Sequence, residues 1–293
     1  MLRQRPTTRI SAKPLPAVAS INTSVAADKG LWRAHRQQPT TASKYHRPLL
    51  PAATDLERQL ERSSDPLKLL EKIITKPGYH PAPITLGHFS DPYHPDSRAL
   101  SITRDILKLM YQYRHPVRVL TNSHLVVKDL DLLSKLAELR LCTVVINLNT
   151  LNEKLKTTLE TRTSSPNARL KVISLLSDAG IAVGALVAPV IPLINDSEIE
   201  GILSEVCDAG AIAADYEYLK MTNDIEHTYR YWLERHFPDL AERIFNLTQI
   251  NRSSYAREFA DMVDQRFWMT CEKLKLNRTG LPALDTTRFR RSV

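Results

Sequence analysis

Residues 165–219 read SPNARLKVISLLSDAGIAVGALVAPVIPLINDSEIEGILSEVCDAGAIAADYEYL, and two nearly identical strings punctuate this stretch. The strings are DAGI at 178–181 and DAGA at 208–211. Each ends an amphipathic segment with glycine and begins an apolar run, as happens where a helix closes and a strand opens. Ser165 and Pro166 suit the start of the first helix, and Gly180 suits its end. The stretch therefore predicts two consecutive βα units.

The same alternation of apolar runs and amphipathic segments extends toward the amino terminus. Strands are predicted at 83–88, 117–121, 142–148, 181–189 and 212–219. Helices are predicted at 98–113, 126–140, 165–179 and 197–209, after a helical stretch near 56–75 that a break at 63–66 interrupts. Crossovers of this length join parallel neighbours, so we expect an α/β fold with a parallel sheet wound into a full or partial barrel.

Composition and hydrophobic pattern divide the chain into three predicted regions. Residues 1–54 are irregular, residues 55–221 form the barrel core, and residues 222–293 form a C-terminal helical extension with helices at 224–236, 238–249 and 256–275. Functional side chains of such barrels lie at the carboxyl ends of the strands. That rule selects the loops in which we look for chemistry.

The net charge of +8 belongs to the first 50 residues. They hold nine Lys and Arg and one acid, Asp28, whereas the remaining 243 residues hold 31 bases and 31 acids. The body therefore attracts no phosphate by net charge, and a nucleic-acid contact would involve the basic tail. No apolar run approaches the roughly 20 residues of a membrane span, and no apolar signal core follows Met1, so we expect a cytoplasmic protein without membrane contact.

Three predicted strands are followed by polar loops. LGHFSDPYHP at 86–95 supplies Gly87, Asp91 and Tyr93, the segment after 117–121 supplies Thr121 and Ser123, and LETR at 159–162 ends on Arg162, which is suited to a carboxylate or phosphate. His88, Asp91 and His94 are a weaker alternative as ligands of a divalent metal. The cysteines, Cys142, Cys207 and Cys271, are far apart in sequence and have no metal-ligand spacing.

At these loops the chain resembles the spore-photoproduct-lyase-like bacterial radical S-adenosylmethionine (radical SAM) proteins. The resemblance spans about residues 20–291 and is carried by ordered stretches, which are 69–95, 115–133, 159–200, 232–244 and 265–277. It implies a partial (β/α)6 TIM-like barrel of the radical SAM type. It also implies S-adenosylmethionine (SAM) bound at the strand carboxyl ends beside a [4Fe–4S] cluster. The candidate SAM pocket then consists of Gly87, Asp91, Tyr93, Thr121, Ser123 and Arg162.

The resemblance also implies a Cys-x3-Cys-x2-Cys loop after the first strand, and this chain departs from it. The three cysteine positions fall at about Ala27, Leu31 and Ala34, none of which can bind iron. Asn122, Ser97 and Asn147 stand where the family has Lys, Glu and Ser. We therefore expect that cluster binding and radical chemistry are lost, and that the protein is a non-catalytic binding or regulatory module, whose partner could be a protein or a nucleic acid.

Two alternatives stay open. One is a radical SAM or lyase-like enzyme that works without a cluster, or whose start is misassigned so that the cysteine loop is missing from the given sequence. The other is a nucleic-acid-associated protein that uses its basic tail.

Overall fold

The structure is a computed structural model, and it describes residues 49–160, 163–219 and 223–291. Arg162 and the positions Ala27, Leu31 and Ala34 lie outside the described residues. Five strands are present in the described part: β1 (Ile84–Leu86), β2 (Val117–Thr121), β3 (Cys142–Asn147), β4 (Val183–Val190) and β5 (Ala213–Tyr218). The helices before and between them are α1 (Asp55–Arg62), α2 (Pro66–Ile74), α3 (Ser97–Gln112), α4 (Leu130–Glu138), α5 (Glu153–Leu159), α6 (Pro166–Asp178) and α7 (Ile199–Asp208).

The sheet is parallel throughout, and its strand order is β1-β2-β3-β4-β5. Each crossover therefore moves one place in the same direction. Because parallel crossovers are right-handed, this order places the crossover helices on one face of the sheet. The opposite face then becomes the inside of a curved sheet, as in a TIM-like barrel. The fold is α/β, with the parallel, curved sheet of a partial TIM-like barrel, as expected.

Alternate residues of each strand belong to two different packing layers. Val144 and Ile146 of β3 join the large core beneath the helices. Between them, Val145 joins a smaller cluster on the inner face, where Leu49 and Leu186 also lie. This period of two is what a sheet buried on both faces requires. The inner face is thus filled by side chains and by the segment that precedes α1.

Three helices form the C-terminal extension: α8 (Asn223–His236), α9 (Ala241–Thr248) and α10 (Ser254–Leu274). Helices α8 and α9 build a small aromatic cluster in which Trp232 and Phe245 pack around Ile191, just beyond β4. Helix α10 instead contributes Val263 and Phe267 to the main core. The extension therefore packs on the carboxyl side of the sheet through α8 and α9, and on the core of the barrel through α10.

Residues 275–291, which we call the strap, cross the amino-terminal edge of the sheet. The side chain of Asn277 accepts from the amide of Ala214 at 2.9 Å and donates to its carbonyl at 2.8 Å, at the start of β5. The amide of Asp285 donates to the carbonyl of Arg140 (2.9 Å), just before β3. The amide of Arg290 donates to the carbonyl of Tyr113 (2.8 Å), between α3 and β2. The strap thus contacts the residues that precede β2, β3 and β5.

Two local elements differ from the predictions. The predicted helix at 126–140 begins with a 3-10 turn, His124–Asp129, which Ser123 caps by accepting from the amide of Leu125. Helix α5 was not predicted, because its seven residues, EKLKTTL, are too few to establish a helical period. In contrast, Ser165 caps α6 by accepting from the amide of Ala168, as the sequence predicted. Among the described helices, none is both long and apolar enough to cross a membrane.

Candidate functional site

The loop after β1 approaches β2 so closely that position 87 has no room for a side chain. Gly87 has φ +110°, and a Cβ built on it would lie 2.0 Å from the carbonyl oxygen of Leu120. Only glycine combines this backbone conformation with such an approach. The residue therefore sets the path of the polar loop that follows, at the carboxyl edge of the sheet.

Asp91 is the polar centre of that loop. Its carboxylate accepts from the Thr121 hydroxyl (2.6 Å), from the amide of Asn122 (2.9 Å) and from the amide of Tyr93 (2.8 Å). Burial raises the pKa of Asp91, although these hydrogen bonds oppose the rise. Thr121 in turn accepts from the amide of Ser123 at 3.0 Å. The structure thus brings Asp91, Thr121 and Ser123 together, as the sequence suggested.

The side chain of Tyr93 packs in the core and does not line the open carboxyl edge of the sheet. Only 1% of it is exposed, and its hydroxyl donates to the Asp129 carboxylate at 3.0 Å. Arg104 extends this series of hydrogen bonds by donating to Asp129 (2.5 Å) and to Asp131 (3.0 Å). Burial first, and the neighbouring Asp129 second, raise the pKa of Tyr93. The residue therefore fastens the loop to the helices beneath it.

The alternative metal ligands do not form a group. His88 Nδ1 lies 3.0 Å from a carboxylate oxygen of Glu57, a residue of α1. The carboxylate of Asp91 is occupied by internal donors, and His94 is exposed. Within the described ranges, no three His, Cys, Asp or Glu side chains are placed to hold a metal ion.

Glu57 joins α1 to this loop, and the sequence did not single it out. Its carboxylate accepts from the amides of Thr54 and Thr85, at 2.7 and 2.5 Å, in addition to its contact with His88. Burial acts to raise the pKa of Glu57, but the hydrogen bond and charge of His88 and the two amides hold it below its usual value. The carboxylate thereby anchors the polar loop from below.

A buried group of charges follows β3 and is the main feature that the sequence did not predict. Glu160, Arg169 and Lys156 are 2%, 1% and 8% exposed. Arg169 forms an ion pair with Glu160 and donates to the carbonyls of Asn147 (2.9 Å) and Ser164 (3.0 Å). The Lys156 ammonium donates to the Thr163 carbonyl. The carboxylate of Asp91 also interacts with the charge of Arg169, and that of Glu153 with the charge of Lys156.

The pKa of Lys156 reflects both its burial and these charged neighbours. Burial, and then the charge of Arg169, lower the pKa of Lys156, although Glu160 and Glu153 oppose the change. An ammonium has three donors, and within the described residues that of Lys156 makes one hydrogen bond, to the Thr163 carbonyl, so an anionic oxygen that reached it would find a donor. The signals in the sequence were a lysine within EKLKTTL and an arginine within PNARL, which look like surface positions of helices.

Two asparagines lie at the end of β3. The side-chain oxygen of Asn147 accepts from the amide of Ala188 (3.2 Å) and so fixes the end of β4. Asn149 is 1% exposed, and neither its side-chain oxygen nor its nitrogen has a partner among the described residues. Asn195 closes the loop after β4 by donating to the carbonyls of Asn149 (2.8 Å) and Pro189 (2.9 Å). A buried amide of this kind is a ready partner for a ligand hydroxyl.

The three cysteines lie away from this edge. Cys142 is the first residue of β3, so that it and the carboxyl end of the strand are about 16 Å apart. Cys207 lies near the end of α7, and its thiol is 3.6 Å from the carbonyl of Leu274 at the end of α10. Cys271 is buried in α10, three residues before Leu274. All three thiols thus lie toward the amino-terminal edge of the sheet.

A family model and several known proteins match the chain. The model of the radical SAM superfamily matches residues 58–206, about half of the chain. An uncharacterized protein of Mycobacterium tuberculosis (strain ATCC 25618 / H37Rv) is 26% identical over 237 residues, which cover 80% of this chain and 69% of that protein. The matched family region runs from α1 to α7 and includes the polar loops after β1, β2 and β3.

Solved structures of spore photoproduct lyase share the fold. A mutant with a cysteine replaced by serine aligns with a TM-score of 0.53 at 13% identity, over 81% of this chain and 78% of that one. A double mutant with bound AdoMet and dinucleoside spore photoproduct aligns with a TM-score of 0.52 at 14% identity. That alignment covers 73% of this chain and 64% of the other, so this chain spans less than two thirds of that structure. At these identities the likeness concerns the fold.

Proposed function

Because the chain belongs to the radical SAM superfamily, we propose that it binds an adenosyl ligand of the SAM type at the carboxyl edge of its sheet, without an iron–sulfur cluster. It then acts as a non-catalytic binding or regulatory module. The observation that carries the proposal is the separation of the thiols from the polar loops. The loops lie at one edge of the sheet, and Cys142, Cys207 and Cys271 lie toward the other.

The donor set does not fit a [4Fe–4S] cluster. Such clusters are held by cysteine thiolates. The side chains of Ala27, Leu31 and Ala34, where the resemblance expects ligands, offer no lone pair. Burial raises the pKa of Cys142 and of Cys271 to about 12 each, so these thiols resist forming the thiolates that iron requires. No step of the proposed function therefore passes through a cluster.

The carboxyl edge does fit a SAM-type ligand. The amino-acid part of SAM carries a carboxylate, which would accept a charge-assisted hydrogen bond from the Lys156 ammonium. Its ribose carries hydroxyls, and Asn149 has a buried amide without a partner among the described residues. Gly87 and Asp91 shape the neighbouring loop. The ligand AdoMet is bound in one of the spore photoproduct lyase structures of the same fold, which supports this ligand class.

The first test is anaerobic reconstitution with iron and sulfide, followed by an absorption spectrum and iron analysis. We expect no thiolate-to-iron absorption, and the same residual iron in the protein and in a variant with Cys142→Ala, Cys207→Ala and Cys271→Ala. A brown protein whose absorption disappears in the triple variant would contradict the proposal.

The second test separates the carboxylate of the ligand from its adenosyl part. Lys156→Met should weaken SAM binding by about 10- to 100-fold, because a charge-assisted hydrogen bond is lost, and should leave 5′-methylthioadenosine binding unchanged. The exposed Lys154, on the same helix, provides the matched control Lys154→Met. Calorimetric titration measures both ligands. Equal effects of the two substitutions, or no binding of either ligand, would overturn the assignment.

Nucleic-acid association remains a separate hypothesis, resting on the nine basic residues among residues 1–50. It predicts affinity for DNA or RNA that falls steeply with salt. Binding that is insensitive to salt would remove its basis.

A further inference from the structure

The strap gathers basic side chains at one corner of the amino-terminal edge of the sheet. This basic corner consists of the loops before β1, β2 and β3, which are 75–83, 113–116 and 139–141, and of strap residues 285–291. It holds one acid, Asp285, and six bases, which are Lys76, Arg114, Arg140, Arg288, Arg290 and Arg291. Residues 51–293 as a whole hold equal numbers of bases and acids. The fold therefore creates a local positive charge that the net charge of the body does not reveal.

Hydrogen bonds and ion pairs hold these segments side by side. The amide of Asp285 donates to the carbonyl of Arg140 (2.9 Å), and the amide of Arg290 donates to the carbonyl of Tyr113 (2.8 Å). The guanidinium groups of Arg140 and Arg288 share one oxygen of the Asp285 carboxylate, at 3.3 and 3.1 Å. One negative charge thus faces two positive charges, and the corner keeps an excess of positive charge.

The corner exposes its charged side chains and buries its large apolar one. The side chains of Arg140 and Arg288 are 70% and 39% exposed. The ring of Phe289, between two exposed strap residues, instead packs against His115 and Tyr79. The corner therefore offers no apolar anchor of the kind that inserts into a membrane, and no aromatic platform on which the bases of a single strand stack.

Two of the arginines stand where glycine is the usual residue. Arg114 and Arg140 follow α3 and α4 with φ of +50° and +56°, in the left-handed region that glycine adopts readily at helix ends and other residues adopt at a cost. The negative end of each helix dipole favours a base at these two places. It does not account for Arg288, Arg290 and Arg291 of the strap, which do not lie at the end of an α-helix.

We propose that the basic corner binds the phosphate backbone of double-stranded nucleic acid. Three neighbouring strands span about 10 Å, and duplex DNA carries about six phosphate charges over that length, which is as many as the corner has bases. Five of the six bases are arginines, whose planar guanidinium groups bind phosphate oxygens in pairs. The contact lies at the opposite edge of the sheet from the adenosyl site and does not depend on the function proposed for that site.

Fluorescence anisotropy of a labelled DNA duplex, titrated with the full-length protein at several salt concentrations, tests the proposal. The variant Arg114→Gly, Arg140→Gly and Arg290→Gln removes three charges from the corner, and glycine suits the left-handed backbone at the first two positions. We expect about 10- to 100-fold weaker binding near 0.1 M salt. The slope of log affinity against log salt should fall by about two to three, because three phosphate contacts are lost.

The matched control is Lys171→Gln, Arg235→Gln and Arg243→Gln, which removes three exposed bases from α6, α8 and α9. It lowers the net charge equally and should leave the affinity within about twofold of the parent protein and the salt slope unchanged. Equal affinities of the two variants, or no binding of the duplex by the parent protein, overturn the proposal. Equal and weakened affinities would assign the binding to the basic residues 1–50 or to net charge alone.

Modification of arginines by phenylglyoxal, mapped by mass spectrometry, locates the contact in the unaltered full-length protein. Saturating duplex should slow the modification of Arg140 and Arg290 about fivefold, because bound phosphates occupy their guanidinium groups, and should leave Arg235 and Arg243 unchanged. Unchanged rates at Arg140 and Arg290 overturn the proposal. Vesicles of phosphatidylserine and phosphatidylcholine are the comparison. If they protect these two arginines and the duplex does not, the corner binds an anionic membrane surface and the proposal fails.

Discussion

Gly87 controls the candidate site at the scale of a single atom. The carbonyl of Leu120 occupies the place where any other residue would carry its Cβ, and the backbone there has φ +110°. A side chain at 87 would push the loop outward, and Asp91 would lose its contacts with Thr121 and Asn122. The absence of a Cβ at position 87 therefore sets the path on which the polar loop begins.

The substitution Gly87→Ala should lower the free energy of unfolding by about 2–4 kcal/mol, because strain and a backbone clash add together. Gly78 is the matched control, since its φ is +79° and no heavy atom lies within 4 Å of a Cβ built there. Gly78→Ala should cost only about 1 kcal/mol. Urea denaturation followed by circular dichroism measures both. A similar loss for the two variants would contradict the role of the Leu120 carbonyl.

At the scale of single residues, the sequence predicted the contacts that depend on where the strands end. Asp91, Thr121 and Ser123 were expected together because parallel strands end at one edge, and hydrogen bonds join them. Lys156 and Arg169 were not expected, because their burial depends on where α5 and α6 meet β3. No local pattern of charges conveys that arrangement.

The strap covers a buried histidine whose pKa is shifted, His115. His115 is fully buried beneath it, with Nδ1 donating to the carbonyl of Pro116 (2.9 Å) and Nε2 2.7 Å from the Tyr79 hydroxyl. The ring of Phe289 from the strap lies 5.6 Å from His115 and 5.7 Å from Tyr79, between ring centres. Burial lowers the pKa of His115 to about 4. The imidazole therefore stays neutral in the folded protein down to that pH.

This shift makes the protein less stable in mild acid. Below its ordinary pKa of 6.5 the unfolded chain binds a proton on His115, whereas the folded protein does so only near pH 4, so stability falls as the pH drops through this window. Between pH 7 and 4.5, His115→Phe should lose about 2–3 kcal/mol less than the parent protein does. Urea titrations at both pH values measure the difference. The exposed His80 gives the control His80→Phe, for which the same loss as in the parent is expected.

Helices were predicted best where they are long and where capping residues mark their ends. Helix α6 begins and ends where Ser165, Pro166 and Gly180 placed it. Helix α5 was missed because seven residues are two turns, and its cap, Asn152, reads equally well as part of a loop. The strap was not foreseen either. Its contacts are backbone hydrogen bonds and single side chains, which leave no period in the sequence.

Across the whole molecule, the order β1 to β5 follows the order of the chain, and this order is why the barrel could be predicted from repeated βα units. The position of the thiols could not be predicted in the same way. Cys142 lies in a strand, and Cys207 and Cys271 lie in two helices that meet near Leu274. Only the assembled fold places all three toward the amino-terminal edge.

Thiol reactivity tests this arrangement. Cys142 and Cys271 are buried, with their pKa values raised to about 12, whereas Cys207 is half-buried. We expect that an aromatic disulfide reagent at pH 8 titrates no more than one thiol rapidly in the folded protein and three in guanidinium chloride. The variant Cys207→Ala is the control and should abolish the rapid phase. Three rapidly reacting thiols in the native protein would contradict the burial described.

The contacts of the strap also affect when the protein can complete its fold during synthesis on the ribosome. Neighbouring strands can pair as soon as each βα unit emerges, since they are close together in the chain. The contacts of Arg290 with Tyr113, and of Phe289 with Tyr79 and His115, join the strap to residues that are made much earlier. The amino-terminal edge of the barrel therefore stays uncovered until the strap has left the ribosome. A nascent chain stalled before residue 289 would expose His115 to solvent and to chaperones.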